Sequence, residues 1–513
     1  MSIAISSGAT VFYGGTTDAT ITTPSHTGAG TVFVFRQGNL TFGGSTLGSA
    51  AFTGELYQYS EGGEATVSSV IVSTSTAFPT AANLLFQSFS SSVTSFGLKY
   101  TGAGNVSNSG AVTIFSGTTG STVTIDNSSN NGSNLTLSGG VSNNSTSTTT
   151  TLTLAGTSTG TTTLSGNITE SATSTTRLSK TSSGTLTLTG TASTYKGSVT
   201  VSAGTLNANS ATALGADQSS GTVTSGATLS LGAALNYSTR TFTINGTGVT
   251  VGGVLQGAVT HAYAGTAKIG AITLGAASYV RGTASGTLSS SIANGGFALT
   301  AGAASGNTLT LTGGISGLGG LTVGFYSSDT GTVALTTSNS YSGSTTLSTY
   351  GTLSLGNASA LGTSTLIFSG GTLDASTDLT AANALTVSNN ITFTGTAALT
   401  LSSAVALGAS RTVTVNGSTL TLSGVVSGAT FKLTKAGAGV LKLTNTNTYS
   451  GGTDIGGTGT VQAGAVQALG STGTVTMTAS TATLQTLTTG GQNGKLTVAA
   501  LTNSAGGTIK IGG

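Results

Sequence analysis

The sequence predicts an all-β solenoid of stacked coils, and three observations predict it. Apolar residues alternate with Thr and Ser in short runs such as Thr185–Leu188, Thr308–Leu311 and Thr412–Val415, the period-2 signal of half-buried strands. A unit recurs three times: strand-like alternation, a Tyr-x-Gly turn, more alternation, a Gly-Thr-Leu or Gly-Thr-Val step and a closing Ala-Leu-Gly. Its landmarks are Tyr195, Gly197 and Gly215, then Tyr341, Gly343 and Gly362, then Tyr449, Gly451 and Gly470. The spacing from Tyr to closing Gly is nearly constant, whereas the spacing from one Tyr to the next is not. A fixed unit at irregular intervals suits a solenoid and argues against a propeller, whose blades recur at one length.

From the N-terminus, residues 1–100 differ in composition. They hold nine Phe and four Tyr, 13 of the 28 aromatic residues of the chain. Thr31–Phe35, Asn39–Phe42, Glu55–Tyr59 and Ala65–Val72 read as strands, and Ala81–Phe89 reads as a short helix or another strand. An aromatic-rich β module that caps the solenoid or mediates assembly is expected over 1–100. Within it Ile3–Tyr13 alternates, ends on Phe12 and Tyr13, and carries no charge before Asp18. Ile3, Ile5, Phe12 and Tyr13 are therefore the expected contact to a neighbouring sheet edge.

Residues 101–513 are expected to form coils of irregular length, about 20 rungs if each takes roughly 20 residues. Their repeat units lie near 164–215, 311–362 and 422–470. A second element opens each unit, reading LSGNIT from Leu164, LTGGIS from Leu311 and LSGVVS from Leu422. Asn127–Asn134 and Ser142–Thr150 are polar and turn-rich, and are expected to project as loops. Ala262–Arg281, with Tyr263, Lys268, Tyr279 and Arg281, reads as a decorated coil.

The segments LTLTGTASTYKGSVTVSAGTL and LKLTNTNTYSGGTDIGGTGTVQAG resemble the passenger-associated repeats of bacterial autotransporter adhesins. The resemblance extends in weaker form over residues 101–513 and leaves out 1–100. It implies a right-handed parallel β-helix and an extracellular or cell-surface setting. Full-length members of that family also carry a secretion signal and a C-terminal membrane barrel. Here residues 1–15 show no basic stretch followed by an apolar core, so export is expected to use a signal removed upstream, or an uncleaved or C-terminal one.

Composition narrows the chemistry. The 513 residues include 81 Gly, 2 Pro, no Cys and no Trp, with 5% charged residues and a net charge of +3. Absence of Cys excludes disulfide staples and thiolate metal sites. Charge so sparse and unclustered argues against a nucleic-acid partner; the densest basic spot, Lys432, Lys435 and Lys442, reads as solvated edge decoration. No stretch reaches the roughly 18 continuous apolar residues of a membrane helix.

Catalytic groups are few. His26 and His261 are the only histidines and read as surface or turn residues. Asp374 and Asp378 are the one close acidic pair of the solenoid: four apart on a strand they would share a face, although turn chemistry is the better reading. Glu61 and Glu64 flank Gly-Gly, too few oxygens for a calcium site. No cofactor, no metal and no enzymatic activity are expected. The repeated tyrosines are expected to pack at coil corners with their hydroxyls reaching water. The expected function is a non-enzymatic extracellular structural protein, a self-assembling subunit of a filament, sheath or surface layer whose partners are copies of itself. The alternative is an adhesin-like passenger rod that attaches to cell-surface glycans or proteins.

Overall fold

Threonine and leucine in alternation put one face of each strand in the core and leave hydroxyls on the other. The computed structural model follows that pattern along the chain. It describes residues 2–5, 7, 9–15, 19–22, 25–36, 40–42, 55–60, 68–88, 95–117, 119–146, 148–216, 220–470, 472–488 and 495–512. Short strands pair in parallel with the equivalent strands of adjacent coils, giving a β-solenoid of about 19 turns. Among the described residues there is no α-helix, only the 3₁₀ turns Ser75–Ala77 and Asn130–Gly132.

Two compact units divide the chain. The first comprises residues 1–260 and 267–272. One of its sheets stacks seven parallel strands: Thr10–Gly15, Thr31–Arg36, Glu55–Ser60, Asn83–Ser88, Val112–Ser116, Val141–Asn143 and Ile168–Glu170. Val32, Leu56, Leu84, Val112, Val141 and Ile168 form a single buried column in it. The aromatic-rich stretch thus contributes strands to the same stacked sheet as the residues after it. The segment read as a helix or strand is a strand, Asn83–Ser88. Strand Ser2–Ile5 pairs with Ser25–Gly28 of its own chain, and Thr10–Gly15 with Thr31–Arg36.

The second unit comprises residues 261–266 and 273–513. One of its sheets again has seven parallel strands, from Leu379–Ala381 to Thr508–Lys510. Leu399, Leu420, Leu441 and Val461 stack there at short, nearly even intervals along the chain. Leu84, Val112, Val141 and Ile168 of the first unit stand further apart in sequence, so the coils there are longer. The pitch is fixed by hydrogen bonding between rungs, so extra residues lengthen each coil's circumference, in part as longer strands such as Ser121–Asn127 and Thr149–Ala155.

Polar segments expected to project do not. Asn127, Ser129 and Ser133 are buried, with Asn127 Nδ2 donating to Ser133 O at 3.1 Å and Ser129 Oγ donating to Ser158 Oγ at 3.0 Å. Asn143, Ser145, Thr148 and Thr150 are buried as well. Short side-chain dipoles satisfy corner backbone groups that the parallel ladder leaves over. One hairpin departs from the coil pattern: Thr250–Val251 pairs antiparallel with Val254–Leu255. Gly252 and Gly253, at φ 56° and 79°, make its two-residue turn.

Candidate functional site

The repeat unit is a corner construction that ties three successive coils together. Its tyrosines are fully buried, and their hydroxyls do not reach water as expected. Tyr195 donates to Ala213 O at 3.1 Å. Tyr341 and Tyr449 instead bond the hydroxyls of Thr345 and Thr453, each at 2.6 Å. The corner is closed because the next coil lies directly on the ring.

That closure explains both glycines of the motif. The closing Gly215, Gly362 and Gly470 have φ of 77°, 56° and 95°. A Cβ on any of them would stand 2.3, 2.3 or 2.7 Å from the carbonyl oxygen of Tyr195, Tyr341 or Tyr449. The stretch from Tyr to closing Gly is one coil, so that glycine is the residue that crosses the tyrosine one rung on. Gly197, Gly343 and Gly451 face the other way: a Cβ there would come within 2.1 to 2.4 Å of the previous coil's backbone, at Thr176, Gly319 and Phe431.

The element that opens each unit is the coil beneath. Backbone N–H groups of Thr194, Ser340 and Thr448, each just before the tyrosine, donate to the carbonyls of Ile168, Ile315 and Val426 at 2.9, 2.9 and 3.0 Å. The residue two before the tyrosine completes the tie, and sequence reasoning passed over it. Asn339 accepts from Ile315 N at 2.7 Å and donates to Ala360 O at 2.5 Å, bridging the coil below and the coil above. Asn447 does the same with Val426 N and Ala468 O, at 2.7 and 2.6 Å. Ser193 stands there in the first copy and accepts from Ile168 N at 3.1 Å. The signal was present as a short polar residue at the same offset from Tyr in each copy.

One comparison with known proteins, that with family models, coincides with this construction. The family described as passenger-associated-transport-repeat matches residues 178–208, 328–355 and 433–467. The chain carries passenger-associated transport repeats. Each matched segment contains a corner tyrosine, and the glycine that closes the corner lies just past it. Neither curated proteins nor solved structures returned a match.

Two of the transport repeats bury a lysine shortly before a glycine. Lys180 Nζ donates to the carbonyls of Ser182 and, at 3.0 Å, of Ala203. Lys435 Nζ donates to those of Ala436 and Gly437 at 2.6 and 2.8 Å. Both side chains are fully buried, so Lys435 is not the solvated decoration expected of it; Lys432, its neighbour, pairs with Asp454 at 3.0 Å on the surface. In the second repeat the buried charge is an ion pair instead. Asp329 Oδ1 accepts from Tyr279 at 2.6 Å and from Arg281 Nε at 3.2 Å. Gly302 makes room for it: a Cβ there would lie 2.2 Å from Asp329 Oδ2. Tyr279 and Arg281 are therefore core residues, not decoration.

Burial lowers both lysines from the ordinary 10.5 to about 8. Between those values the unfolded chain binds more protons than the folded one, so stability rises with pH. Burial raises the phenols of Tyr195, Tyr341 and Tyr449 above the ordinary 10.0. Above that pH the unfolded chain loses phenolic protons first and stability falls. The denaturant midpoint is expected to climb from pH about 7 to about 9.5 and to drop by about 11.5. Changing Lys180 and Lys435 together to Met should remove the climb and leave the drop; a midpoint flat across that climb in the native chain would refute the lysine assignment.

The remaining ionisable groups are dispersed. His26 and His261 are buried, contrary to expectation: His26 meets Tyr13 Oη at 2.8 Å, and His261 Nε2 lies 3.0 Å from Thr287 O. Asp374 and Asp378 do not share a strand face, because the strand Thr372–Ala375 ends between them. They cap separate amides, Thr396 N at 3.0 Å and Ala398 N at 2.7 Å, which is turn chemistry. Glu61, Glu64 and Asp18 lie outside the described residues. Among the described residues no three His, Cys, Asp or Glu side chains gather as metal ligands. Two surface depressions, one along Gly139–Ser142 and Asn167, the other along Ala358–Thr365 and Asn383, have no ionisable side chain in their walls. Of the expected assembly residues, Phe12 is 69% exposed and Tyr13 is half-buried against His26 and Phe42.

Proposed function

We propose that the chain is the passenger part of a secreted autotransporter-type protein, a non-enzymatic surface rod whose task is attachment. The observation that carries this reading is the three transport repeats seated one coil deep in a parallel solenoid. Sparse charge and the scatter of the carboxylates support a structural role. Of the two readings the sequence left open, the repeats favour the passenger over the self-assembling filament or surface layer.

The test is display. Fused ahead of a membrane β-barrel translocator in bacteria lacking other adhesins, the chain should become sensitive to protease on intact cells. It should also increase their attachment to surfaces or to each other. A chain retained inside, or one displayed without added attachment, overturns the reading. The purified protein is expected to sediment as a monomer. Regular polymers that vanish when residues 1–14 are deleted would restore the filament reading, with Ile3, Ile5, Phe12 and Tyr13 as its contact.

A further inference from the structure

The repeat tyrosines cannot stack on a ligand, because they are buried. Another set of rings is exposed, on three successive coils of the second unit. Strands Leu299–Ala303, Leu321–Val323 and Thr345–Leu347 pair in register there. At the corner before them stand Phe297, 42% exposed, and Leu318, 78% exposed; Gly319 presses against the Phe297 carbonyl, so the two turns are stacked. At the corner after them stand Phe325, 55% exposed, and Tyr350, 46% exposed, with Tyr350 N donating to Gly324 O at 3.2 Å. Between the two pairs Thr300, Thr322 and Thr346 lie side by side, half-exposed.

This face has no exposed charge. From position 282 to position 373 the sequence contains one charged side chain, Asp329, and it is buried against Arg281. The Phe325 ring rests edge-to-face on that of Tyr326, with centroids 5.1 Å apart. Asp329 anchors the end of the loop, and Tyr326 turns inward to pack its ring 4.9 Å from that of Tyr279. Phe325 is supported on one side by Tyr326 and open to solvent on the other, so it loses less freedom on binding than a free side chain would.

We infer that this face binds neutral polysaccharide, its rings stacking on the apolar faces of sugar units and its threonines bonding their hydroxyls. The inference rests on the attachment reading above and names the partner class. Nucleic acid and anionic membrane would need cations that the face lacks. A stable protein partner would need a wider continuous apolar area than four separated side chains provide. A neutral sugar chain matches both the absence of charge and the alternation of ring and hydroxyl.

Purified full-length protein is to be assayed by sedimentation with insoluble cellulose and curdlan and by affinity electrophoresis in galactomannan and soluble starch. At least one should retain it, with affinity unchanged up to about 1 M salt, since no ion pair is involved. Phe325→Ser with Tyr350→Ser should weaken that binding about tenfold or more, whereas Ile511→Ser, an exposed apolar change elsewhere, should not. Both variants alter exposed side chains, and unchanged thermal melts verify that they fold. No retention on any of the four, or binding that survives the double change, overturns the inference. So does concentration-dependent self-association that the double change abolishes, because the face is then a contact between copies. Cell display is not involved, so failure here leaves the passenger test standing.

Discussion

Leu186→Asp and Leu188→Asp are each expected to unravel the coils around the first repeat. The two leucines sit two apart on the strand Thr185–Leu188 and are 0% and 2% exposed. Leu186 lies between Thr162 and Leu206, and Leu188 between Leu164 and Ala208, on the neighbouring rungs. A carboxylate there has no cation within its column and loses its hydration, so each substitution should cost about 4 kcal/mol or more. Thr187, between them, faces outward, and Thr187→Asp should be nearly silent. Hydrogen exchange of the amides from position 160 to position 210 is the measurement, since a solenoid opens locally. If Leu186→Asp and Leu188→Asp behaved differently from one another, the register would be wrong.

The second large effect is expected at the corner tyrosine of the third repeat. Tyr449→Ala removes a fully buried ring from beneath Gly470 and should cost about 3 to 5 kcal/mol. Tyr449→Phe keeps the ring and loses the 2.6 Å bond to Thr453, a change of about 1 kcal/mol. Thr453 still donates to Leu469 O at 3.0 Å, which limits that loss. Denaturant midpoints of the two variants separate packing from hydrogen bonding. Equal losses would mean that the hydroxyl, not the ring, fixes the corner.

Much of this architecture was legible because a parallel solenoid repeats its physical constraints at every rung. Leu399, Leu420, Leu441 and Val461 must each be apolar, since each is the floor or ceiling of the next. The Tyr-to-Gly spacing was equally legible, though not its meaning as one coil plus a crossing. What misled was polarity. Lys180, Lys435, Asn143 and both histidines are residue types that ordinarily stay in water, and all are buried here. Corner carbonyls that the ladders do not use take the two lysines. Asn143 donates to the Thr176 hydroxyl, His26 meets that of Tyr13 and His261 the Thr287 carbonyl, and these partners make such burial tolerable.

The sequence by itself determined the fold class, the strand faces, the three transport repeats and the lack of clustered charge, because each depends on neighbours along the chain or on composition. Only the tertiary structure decided which polar residues are core and which rings are exposed. Arg281 and Asp329 are remote from one another in the chain and 3.2 Å apart in the fold. Stacking brings such groups together by coil count, and coil length varies from corner to corner, so no fixed period in the sequence announces their meeting.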